Sequence, residues 1–170
     1  NDIDLGGSAK GQWDPIGTNG NAFTGTFDGN YHVIRGLYIN RSSDYQGLFG
    51  LNCGTIRDLT VQGTVTGGSY VGGIAGASIA KSSGPAMLYH VRNECTITGT
   101  GNYVGGVCGL AQASTESGSV ISYVTDCTNS GTVKGYGKYT GGICGGSVGY
   151  VSSSADRKAS ASAYMTGWHN

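Results

Sequence analysis

Short runs in which aliphatic or β-branched residues alternate with polar ones, separated by glycines, make up most of the chain. Leu59-Thr60-Val61 is one such run, and Gly63 and Gly67 follow it closely. A helix needs apolar residues at about every third or fourth position and is weakened by internal glycine, whereas alternating runs bounded by glycine are typical of strands. The pattern therefore predicts an all-β protein.

A motif of the form Gly-aliphatic-x-Gly occurs four times, which indicates an internal repeat. The aliphatic residues Leu48, Ile74, Val107 and Ile143 are spaced by 26, 33 and 36 residues. Repeats of this length stack as units of a solenoid, and glycine is suited to the corners, where a Cβ would clash or φ must be positive. We expect the motif glycines to be structural. They are Gly47, Gly50, Gly73, Gly76, Gly106, Gly109, Gly142 and Gly145.

Aligning the segments between the motifs without gaps produces columns that stay apolar from repeat to repeat. One column holds Ile34, Ile56, Leu88, Val124 and Met165, a second holds Leu37, Leu59, Val91, Cys127 and Trp168, and a third holds Val65, Ile97 and Val133. Parallel strands about 4.8 Å apart place each side chain above its counterpart in the previous turn. The alignment predicts a right-handed parallel β-helix (a β-solenoid) of about four to five turns. A β-propeller is disfavoured, because its signature motifs are absent.

The domain organisation expected from this pattern is one solenoid over residues 1–170. Residues 1–22 form an N-terminal cap, in which Trp13, Pro15 and Ile16 close the first turn, and residues 23–163 form the repeats. Length differences predict long loops at 77–87, 110–123 and 146–163, because surface loops tolerate insertion. Residues 164–170 match the start of a further turn, which predicts a fragment of a larger protein.

The amino-acid composition limits the classes of partner that the protein can bind. Of 170 residues, 38% are hydrophobic, which is enough for a packed core, and the 10 Lys and Arg balance the 10 Asp and Glu. Without a basic cluster there is no electrostatic basis for nucleic-acid binding. No apolar run is long enough to predict membrane insertion of this segment. We expect no cofactor.

Several motifs resemble those of bacterial proteins that carry GLUG repeats. They are Trp13-Asp14-Pro15-Ile16-Gly17, Phe23-Thr24-Gly25-Thr26-Phe27-Asp28-Gly29-Asn30 and the four Gly-aliphatic-x-Gly copies. The resemblance covers nearly the whole chain. It implies a non-catalytic module of a secreted or surface-anchored protein, as in adhesins and in the repeat regions of IgA-peptidase-type metallopeptidases. It also implies an extracellular location at a bacterial surface.

Tyrosines supply the candidate binding surface. Tyr70, Tyr103 and Tyr139 precede equivalent positions in successive repeats, and Tyr136 lies close by, so they could form a stripe along the solenoid. Tyrosine offers a large contact area at a small cost in rotamer entropy, which suits a host glycan or a host protein as partner. The alternative interpretation is a packing ladder with no ligand. The long loops are the other candidate binding surface.

Asp58, His90 and Asp126 share one column of the alignment, with Gly36 below and Gly167 above, and this is the sharpest polar cluster in the sequence. Carboxylates beside an imidazole could bind a metal or serve acid–base chemistry. A solvated, charge-balanced corner is the interpretation we favour. Another column begins with Ile39 and Val61 and continues with Asn93 and Asn129. Stacked buried amides predict a structural ladder there, with Asn170 as a further member.

The five cysteines form no CxxC pair, and Cys108 aligns with Cys144 on adjacent turns. A disulfide there fits the expected backbone spacing, but aligned aromatic and alanine residues favour reduced, buried thiols. A carbohydrate-active enzyme or a glycan-binding domain using the outer face is the rival hypothesis, and a short threonine array suggests ice binding only remotely. The acidic residues are too scattered to favour catalysis. We expect a stalk, spacer or adhesive module of a larger protein, and not an enzyme.

Overall fold

The structure is a computed structural model that describes residues 1–116, 118–151 and 160–166. Its strands are parallel and stack in about five turns of a solenoid. The predicted β-solenoid is confirmed, and the described residues contain no helix. The strands are β1 (Ile3–Asp4), β2 (Thr26–Asn40), β3 (Phe49–Asn52), β4 (Thr55–Gly67), β5 (Ala75–Ala80), β6 (Ala86–Asn93), β7 (Thr96–Gly99), β8 (Val104–Gly105), β9 (Cys108–Thr115), β10 (Ser119–Thr125), β11 (Thr128–Asn129), β12 (Val133–Gly135), β13 (Thr140–Gly141), β14 (Cys144–Val151) and β15 (Ser160–Thr166).

The strands form three parallel sheets that run along the solenoid. The largest sheet follows the order β1-β2-β4-β6-β10-β15, and β7, β11 and β12 join it at its side. The second sheet has the order β14-β9-β5-β3, and β8 pairs with β13 in the third. All named strand pairs are parallel, so equivalent residues of successive turns lie above one another.

The core consists of the inward-facing columns. Ile56 pairs with Leu88, which pairs with Val124, and Val124 is in register with Met165. The third predicted column is also present, because Val65 pairs with Ile97 and Ile97 with Val133. Ile56, Leu88, Val65 and Ile97 are fully buried, as side chains must be when each is covered by its counterpart above and below. The column assignments of Trp168, Gly167 and Asn170 lie outside the described residues.

The predicted alignment of the first turn is wrong. Ile34 pairs with Val61 instead of Ile56, Leu37 pairs with Gly63 instead of Leu59, and Phe27 takes the position beside Ile56. Between Asp28 and His32, β2 contains two residues more than the matching stretch of β4. These extra residues enlarge one corner and shift everything that follows, which a gap-free alignment cannot reproduce.

The motif glycines are required by close backbone approach, not by a left-handed backbone. A Cβ on Gly76 would lie 2.6 Å from the carbonyl oxygen of Tyr70, and one on Gly145 would lie 2.5 Å from the amide nitrogen of Val104. On Gly73 it would overlap the side-chain oxygen of Asn93. A side chain at these positions would therefore force neighbouring turns apart.

The inserted segments differ from the loops expected. Much of 77–87, 110–123 and 146–163 is strand: β5, β9 and β14 run into them and β6, β10 and β15 begin inside them. Ala80, Ala86, Ala113 and Val120 form a small second core between these extensions. The insertions therefore lengthen the paired strands, because extended backbone groups on adjacent turns can continue the same hydrogen-bonded ladders.

The N-terminal segment covers the first turn. Trp13 packs against the main core, and its Nε1 donates a hydrogen bond to the carbonyl of Leu48 at 3.0 Å. Ile16 forms a parallel bridge with Phe49, and Phe23 forms one with Asn52. This segment thus supplies partners for backbone groups that would otherwise form an open strand edge. Among the described residues, nothing resembles a helix able to span a bilayer.

Candidate functional site

Four tyrosines form a continuous ring stack along the solenoid. The ring centroids are 4.7 Å apart for Tyr45–Tyr70, 5.3 Å for Tyr70–Tyr103 and 4.8 Å for Tyr103–Tyr139. The planes are nearly parallel, with angles between 4° and 20°. These distances match the spacing of parallel strands, because each ring is held by the same position of successive turns.

An unusual backbone conformation places these rings. All four tyrosines have positive φ, between 58° and 64°. The left-handed region costs a residue with a Cβ about 1–2 kcal/mol, so it persists only where the surroundings stabilise it. Ring stacking at about 0.5–1.5 kcal/mol per pair is a stabilising interaction of the required size.

The sequence prediction located three of the four members. Tyr70, Tyr103 and Tyr139 lie in the stack as aligned, but Tyr45 was missed and Tyr136 lies outside the stack. The signal for Tyr45 was present, since all four tyrosines begin a Tyr-x-Gly triplet. Tyr136 is 63% exposed and lies beneath Lys134, whose ammonium is 5.0 Å from the ring centroid.

The stack limits what these tyrosines can bind. Both faces of Tyr70 and Tyr103 are covered by neighbouring rings, so a sugar cannot stack on them. Only ring edges and hydroxyl groups of these two residues remain for a partner. Among the described residues, the terminal rings, Tyr45 and Tyr139, are each stacked against one tyrosine.

Asp58 and His90 meet at a corner of the large sheet, as the alignment predicted. His90 Nδ1 lies 3.4 Å from Asp58 Oδ1, and Arg57 Nη1 donates to Asp58 Oδ2 at 3.0 Å. The Asp58 side chain is only 5% exposed, and its Oδ1 has no hydrogen-bond partner within the part of the chain that the structure describes. The negative charge of this carboxylate also raises the pKa of Tyr31. Asp58 therefore interacts with side chains from three successive turns, which are Tyr31 on β2, Arg57 on β4 and His90 on β6.

The backbone of this corner repeats from turn to turn. Asp58, His90 and Asp126 all have positive φ, between 50° and 54°. Below Asp58, the register places the Asn30–Tyr31 corner and not Gly36, which corrects the alignment. Gly36 instead lies against the N-terminal segment.

The geometry of the Asp58–His90 corner gives little support for a metal site. His90 and Asp126 line a groove of about 180 Å³ together with Tyr31 and Arg92. Within residues 1–116, 118–151 and 160–166, no three His, Cys, Asp or Glu side chains gather closely enough to hold a metal ion. The Asp58–His90 pair alone could exchange a proton with a small molecule in the groove, and a catalytic or metal role for it stays a hypothesis.

The asparagine column is a buried hydrogen-bonded ladder. Asn93 Nδ2 donates to Asn129 Oδ1 at 2.7 Å, and each side-chain oxygen accepts the backbone N–H two residues later, from Cys95 and Gly131 respectively. The amides thereby satisfy backbone groups at the bend that the core would otherwise leave without partners. Below Asn93 the column continues with Val61 and then Ile34, not Ile39.

The cysteines are free thiols, and all but the half-buried Cys53 are buried. Cys108 is in register with Cys144, and burial raises the pKa of Cys108 well above its usual value. Burial likewise raises the pKa of Cys95 and of Cys127 to about 12. Thiols held neutral in this way pack as small apolar side chains and are poor nucleophiles.

Comparison with known proteins shows local similarity to two long proteins. Over 81 residues, 44% of this chain, it is 41% identical to a protein of Evansella cellulosilytica named as a Gly-rich membrane protein. Over 111 residues, 58% of this chain, it is 36% identical to halomucin of Haloquadratum walsbyi. The matched segments span only 9% and 1% of those proteins. No family model and no solved structure matches the chain.

Proposed function

We propose that the protein is a non-catalytic spacer module of a longer extracellular protein, located at the cell surface. The continuous parallel register from β1 to β15 supports this most directly. Each turn adds one strand spacing of about 4.8 Å along the axis, so five turns give about 24 Å of length that the backbone ladders fix. A spacer needs such a defined length, and it does not need a cleft in which a reaction takes place.

Contacts between turns support the rigidity that a spacer requires. The tyrosine stack runs along one side, and the Asn93–Asn129 bond connects two turns inside the core. A second polar ladder lies on the surface, where Asp44 Oδ1 accepts the N–H of Ser69 at 2.8 Å. Every one of these contacts joins a turn to the next, so bending the axis would break several at once.

The relatives support the same role. A Gly-rich membrane protein and a halomucin contain segments similar to this chain, and in both the segment is a small part of the length. The resemblance of the glycine motifs to GLUG repeats adds adhesins as a comparison. An adhesive role is compatible with the spacer role, because a solenoid can position a binding domain or carry a binding site itself.

Small-angle X-ray scattering on one, two and three copies of the chain joined in series tests the proposal. We expect the maximum dimension to grow by a constant increment of at least about 20 Å per copy, with the cross-section unchanged. A matched series with Gly73→Asp, which places a side chain where the turns are tightest, should lose the constant cross-section. Compact particles whose cross-section grows with copy number would contradict a spacer.

A further inference from the structure

Two cysteines lie directly above one another at the end of the second sheet. Cys108 of β9 pairs in register with Cys144 of β14, whereas Cys53, Cys95 and Cys127 lie outside the strands. Adjacent parallel strands are about 4.8 Å apart, which places the two Cα atoms within the range of about 4.4–6.8 Å that disulfides span. The fold therefore brings together one pair of thiols at a separation that a disulfide can bridge.

The side chains of this pair have the same orientation. Cys108 Sγ donates to the carbonyl oxygen of Leu110 at 3.2 Å. In the same way, Cys144 Sγ donates to the carbonyl oxygen of Gly146 at 2.8 Å, again two residues later in the chain. Cys144 Sγ also lies 4.0 Å from the carbonyl oxygen of Gly109 on the neighbouring strand. Both sulfur atoms thus point to the same side of the sheet, and that of Cys144 lies close to β9.

The position of β14 allows the pair to close. A disulfide needs Cβ atoms about 3.5–4.5 Å apart, so β14 must move about 1 Å towards β9. Among the described strands, β14 is the outermost of its sheet, and its only partner in the sheet is β9. It can therefore move without breaking another strand pair. Cys144 is 9% exposed and Cys108 is fully buried, so an oxidant reaches Cys144 first.

We propose that Cys108 and Cys144 are the site of a disulfide that joins two successive turns under oxidising conditions. The thiolate of Cys144 attacks a small disulfide such as glutathione disulfide, which forms a mixed disulfide and releases one glutathione thiolate. Cys108 then loses its proton to water, and its sulfur attacks Cys144 Sγ and expels the second glutathione thiolate. Two cysteine thiols are oxidised, and one glutathione disulfide is reduced to two thiols.

Proximity offsets the low reactivity of the buried thiol. Burial raises the pKa of Cys108 and makes it a poor nucleophile, but the second step is intramolecular because Cys144 lies beside it. The inference rests on the proposed extracellular location only for the supply of an oxidant, since disulfides persist outside the cell. The chemistry itself can be tested in solution, and the scattering experiment tests the spacer role separately.

The test is incubation of the folded chain with glutathione disulfide, followed by acid quenching, denaturation and a count of free thiols. The count should fall from five to three, and the mass of the monomer should decrease by two hydrogen atoms. Peptide mapping should locate the bond between Cys108 and Cys144. The disulfide should raise the melting temperature by about 5–10 °C, because it restricts the unfolded chain. Dithiothreitol should reverse these changes.

Cys144→Ala should keep its four remaining thiols under the same treatment. It should fold, because Ala75 already occupies the equivalent position below Cys108. Cys127→Ala is the matched control, since it removes a buried cysteine outside the strands and should still form the disulfide. The proposal is overturned if the native chain keeps all five thiols, if it forms only glutathione adducts, or if the bond joins other cysteines or two chains. An unchanged melting temperature of the oxidised chain would also overturn it.

Discussion

The tyrosine stack predicts that the cost of losing a ring depends on its place in the stack. Tyr103 contacts two rings, at 5.3 Å and 4.8 Å, whereas Tyr139 contacts one, at 4.8 Å. At about 0.5–1.5 kcal/mol per stacked pair, Tyr103→Ala should lose about 1–3 kcal/mol from stacking and Tyr139→Ala about half of that. The backbone strain cancels in the comparison, because φ is 61° and 64° and alanine keeps the Cβ.

Equilibrium unfolding in urea, followed by far-UV circular dichroism, measures both losses. The difference should be at least about 0.5–1.5 kcal/mol, since Tyr103 is also the more buried ring. A double-mutant cycle adds a sharper criterion: Tyr70→Ala and Tyr103→Ala should couple, whereas Tyr45→Ala and Tyr139→Ala, which do not touch, should be additive within about 0.5 kcal/mol. Equal losses for Tyr103→Ala and Tyr139→Ala, together with no coupling, would refute a stabilising stack.

Three further outcomes follow from buried groups. Asn93→Ala should lower the free energy of unfolding by about 1.5–4.5 kcal/mol, because it leaves the Cys95 N–H without a partner and removes one of the two donors to Asn129 Oδ1; a loss below 1 kcal/mol in urea unfolding would contradict the ladder. Gly73→Ala should cost about 1–3 kcal/mol, whereas Gly20→Ala, with open space around it, should be neutral or stabilise by up to about 1 kcal/mol; equal melting temperatures would exclude the clash. Since burial raises the pKa of Cys95 and of Cys127 from 9.0 to about 12, the contribution of each thiol to stability should be complete below pH 9 and fall by about 1.4 kcal/mol per pH unit between pH 9 and 12, as only the unfolded chain loses these protons. Replacing both by alanine should make the slope shallower, with a remainder from other groups of raised pKa such as Cys108 and Tyr45; an unchanged slope in urea unfolding would contradict the burial of the two thiols.

Residues that repeat once per turn made the architecture readable from the sequence. Val65, Ile97 and Val133 align because each must fill the same position of the core, and the glycine motif marks the bends at which turns come closest. The Asp58–His90 proximity and three members of the tyrosine stack followed from the same rule. A parallel solenoid converts sequence period directly into spatial contact, so no long-range pairing had to be guessed.

Only the tertiary structure shows how the chain turns at its corners, and therefore which residues of the first turn pair with those of the second. Ile34 resembles both Ile56 and Val61, and side-chain character alone could not choose between them. The two additional residues after Asp28 decide the choice, because they can be accommodated where the chain turns but not inside a hydrogen-bonded strand. The inserted segments became strands for a related reason: neighbouring turns already presented ladders that they could extend.

An open cleft of about 480 Å³, lined by Gln46 together with Asp14, Pro15 and Arg41, shows the same division between what the sequence and the tertiary structure determine. In the sequence, Gln46 is one polar residue between Tyr45 and Gly47, and nothing marks it as buried. Its burial comes from the valines stacked above it, and the space beside it comes from the N-terminal segment that folds back against the loop after β2. The sequence thus determined which residues recur along the axis, while only the tertiary structure decided what the non-repeating segments enclose, because those contacts join parts of the chain that share no period.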